Sequence, residues 1–144
     1  MRFTRGDFQA SVRTPARGRL SSLIQVIGEG SVLVAHNAAF DLAFLAEALR
    51  RARVRHFALR AYCTLRLARK LLPEARRYDL ASLCEALGIE SGKPHVALAD
   101  AQAVGALFGV LAERGGFVDE EALRALHGPP VQVRFRSGCR GIAP

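Results

Sequence analysis

Tryptophan is absent from these 144 residues, methionine occurs once, lysine stands only at Lys70 and Lys93, and cysteine only at Cys63, Cys84 and Cys139. Thiols that are odd in number and widely spaced, with no C-x-x-C pair, argue against both a disulfide framework and a thiolate zinc site. They point to a reducing compartment. No apolar run approaches the ~20 residues that span a bilayer, and the opening stretch lacks the apolar centre of a secretory signal. A cytoplasmic setting without a membrane partner is therefore expected, with an Arg-rich organelle transit peptide as the open alternative for "MRFTRGDFQASVRTPARGRL". Acids are scarce as well: 13 stand against 21 basic residues, for a formal charge of +8 and a pI near 10.6. This imbalance suits a partner that carries phosphates, because clustered guanidinium groups displace counterions from a nucleic-acid backbone. GC-rich codon use also yields an arginine-heavy basic set, so charge alone does not decide the partner.

What is present is apolar patterning. Half of the residues are hydrophobic, enough at this length for one domain with a sizeable core. Leu20, Leu23, Ile24 and Ile27 recur at helical spacing and stop at Gly28 and Gly30, after an irregular opening. Ser31 to Ala35 reads as a short buried strand, followed by a helix from Ala38 to about Ala52 with Asn37 as its N-cap. Residues 54–62 carry a weak strand signal. Helices are expected from Thr64 to Leu72, halted by Pro73, and from Leu80 to Leu87, ended by Gly88. A long helix runs from about Val96 to Arg114, and a last one starts at Asp119 and stops at "HGPP". "VQVRFR" alternates apolar and basic residues, which fits an edge strand or a basic tail equally well.

Two acids occupy telling places. Asp100 shares a helical stripe with Val104, Leu107, Phe108 and Leu111, where an ionised carboxylate needs a cation, hydrogen-bond donors or the helix N-terminus to offset its desolvation. His95 precedes it by five residues and cannot share its helical face, so it acts from the loop that Gly92 and Pro94 mark. Asp41 falls in the first turn of the helix after the strand, where stabilising the helix dipole is an ordinary role. His36 and Asn37 stand at the carboxyl end of that strand, followed by Phe40. Ligand sites in open α/β sheets lie outside such strand ends.

These residues carry a resemblance. "LVAHNAAFDLAFL" resembles the second motif, and "HVALADAQAV" the third, of the DEDDh family of 3′–5′ exonucleases. The intervening "CTLRLARKLLPEARRYDLASLCEALGI" is similar to the helical middle of the same domain in proofreading epsilon subunits of bacterial DNA polymerase III, so the resemblance spans about residues 20–113. It implies an α/β, ribonuclease H-like exonuclease fold, incomplete in its opening strands and dominated by helices. It also implies a division into residues 1–19, an irregular segment; 20–114, a partial exonuclease domain; and 115–144, a helix with a basic tail.

For chemistry, the resemblance implies Mg²⁺ or Mn²⁺ held by acids, with Asp41 and Asp100 in the second- and third-motif positions and His95 as general base. His36, Asn37 and Phe40 match positions near the substrate end. The implied partners are nucleic acid, at single-stranded DNA 3′ ends, and a DNA polymerase subunit. The first-motif Asp-x-Glu strand has no match here, since Asp119 and Glu121 head a helix and Asp7 stands alone. Impaired catalysis is therefore expected, together with a strand edge that a partner or the tail near Val131 to Phe135 covers, unless the chain is a fragment of a longer gene. A non-catalytic remnant that binds nucleic acid or a protein partner is the alternative.

Overall fold

The computed structural model describes residues 23, 25, 27, 31–52, 56–92 and 96–136. Within them a three-stranded mixed sheet lies between helices: β1 (Leu33–Ala35), α1 (Ala38–Arg51), β2 (His56–Cys63), α2 (Thr64–Leu71), α3 (Leu80–Ala86), α4 (Ala97–Gly115), α5 (Glu120–His127) and β3 (Val131–Arg136). The strand order is β1-β2-β3. β1 runs parallel to β2, pairing Leu33 with Ala61 and Ala35 with Cys63, while β3 runs antiparallel to β2, pairing Val131 with Ala61 and Val133 with Leu59. This is the α/β, helix-rich architecture that the resemblance implies.

Each face of the sheet has its own core. On one side Leu42, Leu45 and Leu49, one stripe of α1, pack with Leu33, Leu59 and Ala61, and Leu23 and Ile27 join them from helical positions. On the other, Tyr62 of β2 meets Leu67 of α2, Leu83 of α3, Leu107 and Leu111 of α4, and Leu123 of α5. β2 is thus covered on both faces at its carboxyl end, where Ala61 and Tyr62 have no exposed surface. That is why its signal was weak: a strand buried on both sides loses the alternation that marks a half-wet one.

Helix boundaries follow local chemistry. Asp79 caps α3 by accepting the Ser82 N–H at 3.0 Å, and Asp119 caps α5 by accepting the Ala122 N–H at 2.8 Å. The Asp119 and Glu121 pair therefore belongs to a helix start, as its spacing before an apolar run suggested. Gly116 closes α4 with a φ of 65°, a left-handed conformation in which a Cβ would be strained.

Two expectations change. Asn37 stands at the N-cap of α1 but with φ 63° and ψ 51°, and its side chain makes no capping bond. It serves by tolerating left-handed backbone in the tight turn off β1. The "VQVRFR" stretch forms a strand, yet on the far side of β2, so it pairs with β2 and not with β1. Its apolar Val131 and Val133 pack on the core, and alternation carries Gln132 and Arg134 to the exposed face. The opening residues up to 22, the Arg53 and Arg55 positions, His95 and Cys139 lie outside the described residues. Among the described residues no helix is long and apolar enough to cross a membrane.

Candidate active site

A cavity of about 420 Å³ opens beside the carboxyl end of β1, between the amino-terminal halves of α1 and α4. Its floor is Leu33, Val34 and Ala35; His36, Phe40, Asp41 and Phe44 line it from the turn and α1; Asp100, Ala101 and Val104 line it from α4, and Leu80 from α3. The position follows from topology. A parallel strand that feeds a helix leaves a crevice at its carboxyl end, and the next helix packed against the strand supplies the second wall. Asp41 and Asp100, remote in sequence, thus share one mostly apolar cavity, and both are half-buried.

Such a setting disfavours two like charges unless a cation or donors accompany them. Their hard carboxylate oxygens suit Mg²⁺ or Mn²⁺, which bind through one or two carboxylates together with water and substrate phosphate. No group of three His, Cys, Asp or Glu that could hold a metal occurs among the described residues. The free cysteines Cys63 and Cys84 are buried, and burial pushes the Cys84 thiol up.

His36 also lines the cavity, with both ring nitrogens engaged. Nδ1 lies 3.0 Å from Thr64 Oγ1, and Nε2 lies 2.8 Å from the Tyr78 carbonyl. Thr64, wholly buried, begins α2; Tyr78 lies between α2 and α3 and ties back through its hydroxyl to the Leu72 carbonyl at 2.8 Å. Thr64 and Tyr78 were not singled out from sequence, although a threonine between the apolar "YC" and "LRLA" is the kind of polar group that must find a partner once buried. Phe40 and Phe44 stand on one face of α1, each 64% exposed, and present aromatic rings at the cavity wall. Asn37 is exposed in the turn and is not among the lining residues.

The arginines that end α1 are committed within their own helix. Arg50 donates from Nε and Nη2 to the Glu47 carboxylate at 2.7 and 2.8 Å, and Arg51 from Nε at 2.7 Å. Bonds from both guanidinium groups lower the Glu47 pKa to about 2.

A second histidine braces the junction where β2 becomes α2. His127 at the end of α5 is 1% exposed; its Nε2 accepts the Cys63 N–H at 3.0 Å and its Nδ1 is bonded to the Gly128 carbonyl at 3.1 Å. Burial chiefly holds its pKa below the usual histidine range.

Comparison with known proteins decides the kinship. The family model for RNase T, described as exonuclease, matches residues 8–108. The chain belongs to this exonuclease family. Its relatives include DNA polymerase III proteins: it is 43% identical over 83 residues to the PolC-type DNA polymerase III of Oceanobacillus iheyensis, a match covering 58% of this chain and 6% of that protein. It is 37% identical over 91 residues to the PolC-type polymerase of Streptococcus thermophilus, covering 59% and 6%, and 30% identical over 89 residues to the DNA polymerase III epsilon subunit of Aquifex aeolicus, covering 62% and 44%. The chain thus spans less than half the length of these curated relatives. The solved structure of Thermus thermophilus RuvC is similar at 18% identity with a TM-score of 0.34, over 84% of this chain and 76% of that one, too slight a likeness to bear on function. The family match extends further toward the amino terminus than the stretch beginning at residue 20 that the motifs suggested.

Proposed function

We infer that this exonuclease domain hydrolyses phosphodiester bonds at 3′ ends of DNA, with Asp41 and Asp100 holding Mg²⁺ or Mn²⁺ and His95 as general base. The observation that carries this reading is that Asp41 and Asp100, from different motifs, line one cavity at the carboxyl end of β1. When bound, a divalent ion would stabilise the charge that develops on the phosphodiester oxygens. The chain's own residues bind and orient. Asp41 and Asp100 would hold the ion, and His95 takes a proton from the attacking water. His36, Asn37 and Phe40 form the substrate end, where the exposed Phe40 ring, with Phe44 one turn on, offers a face on which a terminal base stacks. The substrate class is single-stranded DNA 3′ ends in the cytoplasm, and a DNA polymerase subunit is the protein partner.

The 144 residues supply two matched acids where DEDDh enzymes use four, so a low rate is expected of this chain by itself. The test is a 5′-labelled single-stranded oligonucleotide with Mn²⁺ or Mg²⁺. A slow ladder of shortened products that vanishes in both Asp41→Ala and Asp100→Ala supports the reading. Vigorous degradation that Asp41→Ala leaves untouched contradicts both the site and the impairment. The charge of +8 favours one other reading, nucleic-acid binding without hydrolysis. It predicts salt-sensitive DNA binding that is indifferent to divalent ions and to both aspartate variants.

A further inference from the structure

We propose that His36 is a positioning residue: braced by Thr64 and by the Tyr78 carbonyl, it holds the β1–α1 turn so that Asp41 faces the cavity it shares with Asp100. This deepens the exonuclease reading, on which only its metal-binding arm rests. The Tyr78 carbonyl can only accept, so Nε2, 2.8 Å away, carries a hydrogen. In the neutral ring Nδ1 is then an acceptor, and it takes the hydrogen of the Thr64 hydroxyl at 3.0 Å. That hydroxyl also lies 3.5 Å from the Ala35 carbonyl, the last residue of β1. Should Nδ1 gain a proton, the hydroxyl turns to Ala35 and accepts from the ring instead. The brace therefore survives either charge state of His36, which a fixed backbone donor at the same place would not allow.

The consequence reaches the site through short lengths of chain. His36 links the end of β1 to the start of α2 and to the segment before α3, whose Leu80 also lines the cavity. Between His36 and Asp41 stand the left-handed Asn37 and the first turn of α1, where the Phe40 N–H bonds the Asn37 carbonyl at 3.0 Å. A turn built on left-handed backbone, with no side-chain cap, depends on its flanks to stay in place. His36 is the flank on the strand side. With both nitrogens engaged by protein, its contribution to the substrate end is position.

The test uses the full chain and two readouts. Histidine ring ¹⁵N spectra should show His36 protonated at Nε2 and accepting at Nδ1. Thr64→Val should shift its Nδ1 signal and the Phe40 and Asp41 amides, and Thr64→Ser should restore both. In titrations with Mn²⁺, His36→Ala and Thr64→Val should weaken affinity about tenfold, the size seen when a group orienting a metal ligand is lost, with Thr64→Ser near the parent. Thr64→Val should leave metal-free affinity for a single-stranded oligonucleotide unchanged. A His36→Ala protein that is folded, binds Mn²⁺ as before and loses oligonucleotide affinity would overturn positioning in favour of a substrate contact, as would Thr64→Ser behaving like Thr64→Val. Absence of Mn²⁺ binding by the parent chain counts against the exonuclease reading alone. The ring and amide signals then decide on the brace, and their indifference to Thr64→Val would overturn it.

Discussion

His36 and His127 grip neighbouring residues at one junction, where β2 becomes α2, and do so with different chemistry. His127 accepts from the Cys63 backbone N–H, a donor that cannot reverse, while His36 meets the Thr64 hydroxyl, which both donates and accepts. His127 is 1% exposed and fixed as a neutral ring; His36 stands half-buried on the wall of the cavity. The core thus holds a histidine that tolerates one protonation state, and the candidate active site holds one that tolerates two. A site expected to handle protons and cations gains from the second arrangement, and a helix dock needs only the first.

Breaking the core brace should have the largest effect. His127→Ala should lower unfolding free energy by about 3 kcal/mol, because it opens a cavity and leaves the Cys63 N–H without an acceptor. Urea denaturation measures this, and the same scan on His36→Ala should show only about 1 kcal/mol. Next comes pH. The folded pKa of His127 lies below its ordinary value of 6.5, so below that value the unfolded chain binds a proton that the folded chain refuses. Its contribution to stability is present above pH 6.5 and is lost as pH falls toward the folded pKa. The urea midpoint should drop as pH falls below about 6.5, and His127→Gln should flatten that part of the slope.

Thr64→Val sharpens the contrast at the other ring. It keeps the shape of a fully buried side chain but removes the hydroxyl from His36 Nδ1, and should cost about 1–2 kcal/mol that Thr64→Ser largely recovers. The smallest effect belongs to the exposed Glu47 with its two arginines. Glu47→Gln should leave the thermal midpoint where it was, since such surface pairs are screened, while salt-dependent binding of DNA should strengthen slightly as Arg50 and Arg51 are released.

Much of this arrangement was legible from spacing alone. Leu42, Leu45 and Leu49, or Leu107 and Leu111, are neighbours on their own helices, and a local period reports them directly. Asp119 announces a helix start by chemistry confined to a few residues. β2 was harder, because its length reflects pairing with β1 on one side and β3 on the other, contacts no local window contains. The brace on His36 was not legible at all: its partners lie 28 and 42 residues away, and neither has a motif of its own. The side of β2 taken by β3 likewise escaped the sequence, since alternation assigns faces but not neighbours.

The aspartates fall between these cases. Each has an ordinary role at a helix start, and only the family resemblance paired them before the fold brought both to one cavity. Manganese titration of the full chain, followed by electron paramagnetic resonance, addresses that pairing directly. Saturable binding that is lost in both Asp41→Asn and Asp100→Asn, each folded, is the predicted result. Binding that persists in either variant at the parental affinity would contradict it.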